Sequence, residues 1–318
     1  MRMESASSAR STIVPITRKA YRANFYLDPI DGQVNNATYS LRNIYYHPLK
    51  KTISPDGSQK SHAGSLSLFR AFSRTAWLKT FRADAFEYTV GDTSIRLLWN
   101  PTPLHNAKTQ LTYTFSDQNY IDIHISIECY GYYPDYELVF SNYLAEGFNN
   151  TVLVRDFQDG VRQAAVHLSP VFKDTFVFFP RDEQSIHTMT DGRHFKGHWY
   201  WNCSYGREYA VPLVASMDKN LEVVLMGLEK DVHAVGATYS TEDGYSDDVL
   251  EHHAQYLRLF GEDFTPGMGR QTYIRCFFSQ SLETIRDYQA LYADFEKDYK
   301  KTARRFELPP TSPHYETE

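Results

Sequence analysis

The segment Asp191–Asn202, DGRHFKGHWYWN, concentrates side chains that can donate hydrogen bonds or stack on a ligand. With the two-residue period of a β-strand, its two sides differ in chemistry. One side carries a polar row: His194, Lys196, His198, Tyr200 and Asn202. The other side carries a mostly aromatic row: Arg193, Phe195, Gly197, Trp199 and Trp201. Donor groups beside flat aromatic walls are typical of sites for carbohydrates and other polyhydroxylated or anionic small molecules.

The spacing of His194 and His198 decides between two kinds of chemistry. Four residues apart on a helix, both imidazoles could bind one metal ion. Gly197 followed by Trp-Tyr-Trp favours a strand instead, where the two histidines lie about 13 Å apart. We therefore predict no metal and no cofactor. His194 or His198 is assigned proton transfer, because imidazole titrates near neutral pH.

Two further strands present polar rows that could join this segment. The stretch LEHHAQYLRLF places three side chains on one face: His252, Tyr256 and Arg258. The stretch YIDIHISIEC places His124 and Glu128 on its polar face. If Glu128 faced His194 or His198 from a neighbouring strand, the two groups could form an acid–base pair.

The predicted ligand contacts come from these three segments: Arg193, Lys196, Trp199, Tyr200, Trp201, His124, Glu128, His252 and Arg258. A second interpretation stays open for each segment. Trp199 and Trp201 could belong to the hydrophobic core while the polar row faces solvent. The other two polar rows could likewise be solvated sheet faces.

Alternation of apolar and polar residues predicts the elements that position these groups. The clearest strand is YIDIHISIEC, in which isoleucine at every second position predicts one buried and one polar face. AFEYTVGDTSIRLLWN predicts a hairpin that turns at Gly91-Asp92. LTYTFSDQNYIDIHI predicts a second hairpin that turns at residues 116–119.

Further strand candidates follow at fairly regular spacing: Tyr136–Asn142, Thr151–Arg155, Ala165–Leu168, Thr175–Phe179, Tyr209–Ser216, Glu222–Leu228, Ala254–Phe260 and Gln271–Ser279. Many short strands separated by turn residues predict an all-β fold, a large antiparallel β-sandwich rather than βαβ units. The polar segment Ser54–Ser65 contains glycine and is predicted to be a loop.

One helix is predicted near the C-terminus, over Ser281–Phe306, because its apolar residues recur at three- and four-residue steps. Ser281 is placed to cap it and Pro309-Pro310 follows it. We expect this helix to pack on the sandwich. The predicted organisation is a disordered tail over residues 1–20, one domain over 21–306 and a flexible tail over 307–318.

Composition argues against several classes of partner. The net charge of −6 gives no overall attraction to a nucleic-acid backbone, and no phosphate-binding glycine motif occurs. No run of about 18 apolar residues predicts a membrane span. The first residues lack the apolar core of a signal peptide, so we expect a cytoplasmic protein. Three widely spaced cysteines, Cys129, Cys203 and Cys276, predict buried free thiols rather than disulfides.

Three stretches resemble the galactose mutarotase-like β-supersandwich proteins, which include aldose epimerases and domains of polysaccharide-processing enzymes. They are LTYTFSDQNYIDIHISIEC, YELVFSNYL and LRLFGEDFTPGMGRQTYIRCFF. The resemblance covers about Phe81–Phe278 and rests on the pattern and order of strands. It implies a concave sheet face used for carbohydrate, and the Asp191–Asn202 strand is expected to lie on that face.

One departure from the family pattern limits what the resemblance implies. Aldose epimerases carry an Asn-His-x-x-Phe type of motif near the point that FSNYLAEGF would occupy. Here Ser141-Asn142-Tyr143 supplies no histidine. The epimerase's catalytic histidine therefore has no counterpart at this point.

The sequence thus predicts an all-β supersandwich that binds or processes carbohydrate through a groove rich in histidine and aromatic residues. Two alternatives remain. The protein could be an aldose epimerase, polysaccharide lyase or hydrolase, which needs a carboxylate or imidazole within hydrogen-bond reach of the sugar. It could also be a non-catalytic structural or interaction module that uses the fold as a scaffold.

Overall fold

The computed structural model describes residues 12–27, 39–55, 64–74, 76–82, 84–156, 160–166, 175–188, 202–205, 207–238, 253–280 and 282–303 of the 318-residue chain. Within these residues the chain forms three β-sheets, a short helix and a long C-terminal helix. The predicted all-β sandwich with a C-terminal helix is confirmed.

The nine-stranded sheet is antiparallel throughout. Its strands, in spatial order, are β13 (Val161–Val166), β12 (Asn149–Arg155), β16 (Tyr209–Asp218), β17 (Leu221–Gly227), β20 (Gly269–Gln280), β10 (Tyr120–Cys129), β9 (Ala107–Phe115), β8 (Ser94–Trp99) and β7 (Glu87–Val90). Both predicted hairpins are present, with turns between β7 and β8 and between β9 and β10.

The seven-stranded sheet packs against the nine-stranded one. Its strands, in spatial order, are β15 (Asn202–Tyr205), β14 (Thr175–Pro180), β18 (Val232–Thr238), β19 (His253–Phe264), β11 (Tyr133–Leu144), β5 (Ser67–Ser73) and β6 (Ala76–Thr80). All neighbours pair antiparallel except β14 and β15, which are parallel.

A third sheet, of four antiparallel strands, is formed by the N-terminal part of the chain. Its strands are β1 (Ile13–Thr17), β2 (Tyr21–Tyr26), β3 (Ser40–Tyr46) and β4 (Lys51–Thr52). The prediction of a disordered tail over residues 1–20 is therefore wrong for Ile13–Thr17, which form β1. Ile16 is buried in the core, and Pro15 is tolerated because β1 is an edge strand that pairs on one side only.

The main core lies between the two large sheets and explains the alternation seen in the sequence. Ile121, Ile123, Ile125 and Ile127 of β10 all point into it and are almost fully buried. Leucine and phenylalanine side chains of β11 and β19 approach from the opposite sheet: Leu138, Phe140, Leu257 and Leu259. Burying each such side chain contributes about 1.5–3 kcal/mol, so this layer holds the two sheets together.

The long helix α2 (Ile285–Ala303) lies on the outward face of the nine-stranded sheet, as predicted. It begins at Ile285, later than the predicted start at Ser281, and residues 304–306 of the predicted helix lie outside the described residues. Its cap also differs, because Thr284 Oγ1 accepts a hydrogen bond from the Asp287 amide and Asp287 Oδ2 accepts one from the Thr284 amide. This reciprocal pair satisfies backbone donors at the start of the helix.

The predicted strands that fall on described residues between 85 and 280 are confirmed, mostly with small shifts in their ends. The strand predicted over Ala165–Leu168 corresponds to the end of β13, and Leu168 lies outside the described residues. The strand predicted over Asp191–Asn202 lies outside them too, except for Asn202. Six strands that precede residue 81, β1 to β6, were not predicted from the sequence. The short helix α1 (Glu183–Thr188) was not predicted either. Cys129 and Cys276 are buried free thiols, as expected. Neither α1 nor α2, the helices of the described residues, is long and apolar enough to cross a membrane.

Candidate functional site

The most unusual surface in the fold is the outward face of the seven-stranded sheet, which is buried yet rich in polar groups. Its residues are Ser67 and Arg70 of β5, Glu137, Val139, Ser141 and Tyr143 of β11, Tyr256 and Arg258 of β19, and Arg82, which follows β6. We call this set the arginine face. Each member is at most 9% exposed to solvent.

The pairing register brings these residues together from distant parts of the sequence. Val139 of β11 lies opposite Arg70 of β5 on one side and opposite Arg258 of β19 on the other. In the next row on this face, Ser141 lies opposite Ser67 and Tyr256. Neighbouring strands are about 4.8 Å apart, so side chains in one row can contact a single small ligand.

At one end of the arginine face, Glu137 and Arg258 form a fully buried ion pair. Arg258 Nε lies 2.6 Å from Glu137 Oε1, and neither side chain has solvent exposure. The Arg258 guanidinium also stacks over the Phe178 ring at 4.2 Å. Such a pair is stable only when both charges stay together, because a lone buried charge is costly.

His233 approaches the same carboxylate from β18. Its Nε2 lies 3.9 Å from Glu137 Oε2, and a register irregularity between Val232 and Ala234 directs it there. Burial lowers the pKa of His233 to about 4, although the Glu137 charge opposes the shift. His233 is therefore neutral at pH 7, with a ring nitrogen available to accept a proton.

Near the centre of the arginine face, Arg82 is held by hydroxyl groups and aromatic rings. Its Nη2 donates to Ser67 Oγ at 2.7 Å and to Ser141 Oγ, and its Nε donates to Ser67 Oγ at 3.0 Å. The guanidinium carbon lies 4.7 Å from the Phe69 ring centroid and 4.9 Å from that of Tyr143. Among the described residues, no carboxylate lies within ion-pair distance of Arg82.

Aromatic rings and hydroxyls complete the surroundings. The Arg70 guanidinium lies 4.2 Å from the ring centroids of both Phe69 and Trp77. The Tyr256 hydroxyl donates to that of Tyr143 across 3.3 Å. Burial raises the pKa of Tyr256 well above its usual range, and the charges of Arg82 and Arg70 oppose that shift. Tyr256 therefore presents a protonated hydroxyl.

An open groove of about 1010 Å³ begins beside Trp77, between β6 and the β7–β8 hairpin. Its charged groups have partners within the chain. Lys79 Nζ lies 2.9 Å from Asp84 Oδ2, and Glu87 Oε1 accepts a hydrogen bond from Asn100 Nδ2 at 2.7 Å. The charged groups that line this groove are therefore satisfied within the chain.

Most of the residues predicted from the sequence as ligand contacts lie outside the described residues: Arg193, His194, Lys196, His198, Trp199, Tyr200, Trp201 and His252. Their proposed roles stay predictions. Among the described residues, no group of three or more His, Cys, Asp or Glu side chains is arranged to hold a metal ion.

His124 and Glu128 lie on the outward face of the nine-stranded sheet, so the main core separates them from the arginine face. His124 Nε2 lies 3.3 Å from Gln271 Oε1, and burial lowers the pKa of this imidazole. His194 and His198 lie outside the described residues, so an acid–base pair between either of them and Glu128 stays a prediction. Both edges of β10 are already paired, one with β9 and one with β20.

Arg258 is the one described residue of the predicted contact set that lies on the arginine face, where it pairs with Glu137. The sequence reasoning missed Arg70, Arg82, Glu137 and the serine–tyrosine rows. A signal was present in the strand YELVFSNYL. Its Glu137, Ser141 and Tyr143 recur with a period of two beside an apolar set.

Comparison with known proteins gives a fold but no close relative. No protein-family model matches the chain, and no curated protein matches its sequence. A candidate aldose 1-epimerase from Escherichia coli K12 superposes with a TM-score of 0.51 at 7% identity, covering 85% of this chain and 99% of that one. An aldose epimerase homologue from C. elegans gives 0.49 at 9% identity, covering 86% and 100%.

A mutant heparan sulfate lyase from Pedobacter heparinus also aligns, with a TM-score of 0.43 at 8% identity, covering 87% of this chain and 38% of that one. The E. coli structure shows that this chain has the galactose mutarotase-like β-sandwich fold, which confirms the resemblance seen in the sequence. At 7% identity the likeness carries the fold alone. Function has to be argued from the site.

Proposed function

We propose that this protein binds a carbohydrate on the arginine face. The observation that carries the proposal is the composition of that face, where guanidinium and hydroxyl groups meet aromatic rings on one buried sheet surface. Arg82, Ser67 and Ser141 form one connected group, and Tyr143 and Tyr256 lie beside it.

These groups match the chemistry of a sugar ring. Sugar hydroxyls both donate and accept hydrogen bonds, and serine and tyrosine hydroxyls can do the same. Arginine adds donors in a fixed planar fork. The rings of Phe69 and Trp77, which stack on Arg70, add apolar surface beside these polar groups. The fold shared with a candidate aldose 1-epimerase supports the same ligand class.

Sugar conversion is a second candidate, favoured by the contact between His233 and Glu137. A neutral imidazole 3.9 Å from a carboxylate could accept a proton from a substrate, with Glu137 stabilising the imidazolium. His194 and His198 stay the alternative groups predicted for proton transfer. Conversion can be followed by NMR of a bound sugar's anomeric signals over time, in the wild type and in His233→Gln.

The binding proposal is tested by saturation-transfer NMR of the wild-type protein with a panel of mono- and oligosaccharides. The variant Tyr256→Phe removes one hydroxyl from the arginine face. Tyr273→Phe makes the same chemical change on the opposite side of the molecule, beside His124. Tyr256→Phe should weaken sugar binding about fivefold, the value of one neutral hydrogen bond, and Tyr273→Phe should leave it unchanged.

Two results would contradict the proposal. One is that no sugar in the panel binds the wild type, which favours the scaffold alternative. The other is that Tyr273→Phe weakens binding as much as Tyr256→Phe, because the ligand would then not distinguish the two faces.

A further inference from the structure

Arg82 differs from the other buried arginines whose ion pairs the structure describes. Arg258 is paired with Glu137, and Arg275 is paired with Asp122 and Asp298. Arg82 is just as buried, at 5% exposure, yet its described partners are hydroxyls and rings. It is thus a buried cation without a described counterion.

Such a group is energetically unfavourable by itself. Arginine side chains in proteins carry a permanent positive charge, so burying a guanidinium leaves a charge that the surroundings have to compensate. Hydroxyl groups solvate it partly, but a desolvated charge is stabilised fully by an opposite charge with direct hydrogen bonds. An anionic group at Arg82 would supply that charge, and low solvent exposure would strengthen the attraction.

The hydrogen bonds around Arg82 leave donors that such an anion could use. Nε and Nη2 are engaged with Ser67 and Ser141, whereas Nη1 donates to no described residue. Ser67 Oγ accepts from Arg82, so its own proton is available to a further acceptor, whereas Ser141 Oγ already donates to the Ser67 carbonyl oxygen at 3.3 Å. A carboxylate, sulfate or phosphate group needs several donors of this kind.

A second arginine increases the positive potential. Burial lowers the pKa of Arg42; Tyr26 opposes this shift, and the positive charge of Arg82 adds to it. Arg42 is 1% exposed and its Nε donates to Ser40 Oγ at 3.4 Å. Two buried like charges close to each other favour binding of an anion between or beside them.

From this geometry we infer that the ligand of the arginine face is an acidic sugar, whose carboxylate, sulfate or phosphate group pairs with Arg82. The inference rests on the proposed function and narrows it from carbohydrate to anionic carbohydrate. Arg82 is assigned the role of a specificity-determining residue. Tyr143, Tyr256 and the serines would then contact the ring hydroxyls.

The test compares matched sugars by isothermal titration calorimetry with the full-length protein. The probes are D-glucuronate against D-glucose, D-galacturonate against D-galactose, and D-glucose 6-phosphate and D-glucose 6-sulfate against D-glucose. Inorganic phosphate and acetate serve as anions without a sugar. At least one acidic sugar should bind tenfold or more tightly than its neutral parent. The best member of the panel distinguishes carboxylate, sulfate and phosphate.

Two variants of Arg82 test whether this residue is the source of the preference for acidic sugars. Arg82→Gln should bring the acidic and neutral sugars to about equal affinity, and Arg82→Lys should keep part of the preference because it keeps the charge. Arg96→Gln makes the same change at an exposed position on the outward face of the nine-stranded sheet and should alter nothing. The wild-type ratio is informative even if Arg82→Gln fails to fold.

The other outcomes separate the inference from the proposed function. Equal affinity of acidic and neutral sugars for the wild type would overturn the inference and leave carbohydrate binding intact. A preference that survives in Arg82→Gln would also overturn it. Binding of inorganic phosphate or acetate with no sugar of either kind would overturn both, and so would the absence of any binding.

Discussion

Each of the two large sheets has one face that points away from the shared core. Buried arginines on these two outward faces have different kinds of partner. On the nine-stranded sheet, Arg275 donates to Asp122 through two bonds of 2.6 and 2.9 Å and to Asp298 at 3.1 Å. Its guanidinium stacks 3.7 Å from the Tyr120 ring centroid. On the seven-stranded sheet, Arg82 is equally buried but has hydroxyl partners instead of carboxylates.

The outward face of the nine-stranded sheet is closed by helix α2. Tyr288, Tyr292 and Phe295 pack on apolar side chains of the sheet, including Leu213 and Met226. The buried carboxylate of Glu222 also finds partners. Glu222 Oε1 accepts from the Tyr288 hydroxyl, and Glu222 Oε2 accepts from the Leu282 amide. This face is a structural interface with its charges satisfied.

On the arginine face, by contrast, no described carboxylate neutralises the charge of Arg82. Buried polar groups in folded proteins are normally paired, and exceptions are expected at functional or strained sites. The comparison therefore separates two uses of a sheet face. Charges that are paired within the chain indicate a role in stability, whereas a buried cation held by hydroxyls is the feature on which the proposed binding role rests.

The largest expected effect is on the paired end of the arginine face. Glu137→Leu leaves Arg258 buried without its carboxylate, so the free energy of unfolding should fall by about 3–5 kcal/mol. Urea denaturation followed by circular dichroism measures this. Glu208→Leu removes a carboxylate from an exposed pair with Arg155 and should cost at most about 1 kcal/mol. Similar losses in both variants would mean that burial of the Glu137 pair is not what matters.

A matched pair of arginine substitutions tests the comparison itself. Arg275→Met breaks bonds to Asp122 and Asp298, which stay partly exposed, and should destabilise the protein by about 2 kcal/mol. Arg82→Met removes a buried cation that has no described carboxylate and should change the free energy of unfolding by less than about 1 kcal/mol, in either direction. If Arg82→Met lowers the free energy of unfolding more than Arg275→Met does, Arg82 is a structural residue.

A smaller loss of stability is expected from the hydrogen bond that joins helix α2 to the nine-stranded sheet. Tyr288→Phe keeps the ring in place but removes the hydrogen bond to Glu222. The free energy of unfolding should therefore fall by about 1 kcal/mol. Tyr299→Phe, on the same helix against Tyr273, serves as the control. Thermal unfolding of both variants provides the measurement. A neutral Tyr288→Phe would show that packing alone holds the helix.

The pH dependence of stability should report on the buried histidines. Burial lowers the pKa of His105 to about 3 and that of His233 to about 4, both below the unfolded value of about 6.5. Between pH 6.5 and about 4 the unfolded chain therefore binds more protons than the folded one. The free energy of unfolding should fall with decreasing pH, by up to about 1.4 kcal/mol per pH unit for each histidine.

The variant His105→Gln checks this assignment, since it removes one of the two groups. Urea denaturation of wild type and variant at pH 7, 6 and 5 should show a shallower pH dependence in the variant. Parallel profiles would rule out His105 as a source of the dependence.

The sequence predicts well those elements in which one face is buried and the other polar. Strand β10 is such a case, because its isoleucines and its polar residues alternate strictly. Helix α2 is another, since its apolar residues follow the helical repeat. The turns at Gly91 and at residues 116–119 are visible because their residues favour turns.

The arginine face was harder to predict for physical reasons. Strand β11 is buried on both faces, so apolar residues interrupt its polar row and weaken the alternation. Register irregularities in β5 and β18 interrupt the two-residue alternation of side chains near Arg70 and His233. The pairing of Glu137 with Arg258 joins strands that are far apart in the chain, and single-sequence periodicity carries no information about such partners.

The most direct test of a ligand site on the arginine face is a crystal structure of the protein bound to the acidic sugar with the highest affinity. We expect density for the sugar against Ser141, Tyr143 and Tyr256, with its acidic group within 3.2 Å of an Arg82 guanidinium nitrogen, roughly the limit of a good hydrogen bond. A sugar seated instead on the outward face of the nine-stranded sheet, or one whose acidic group points away from Arg82, would contradict the assignment.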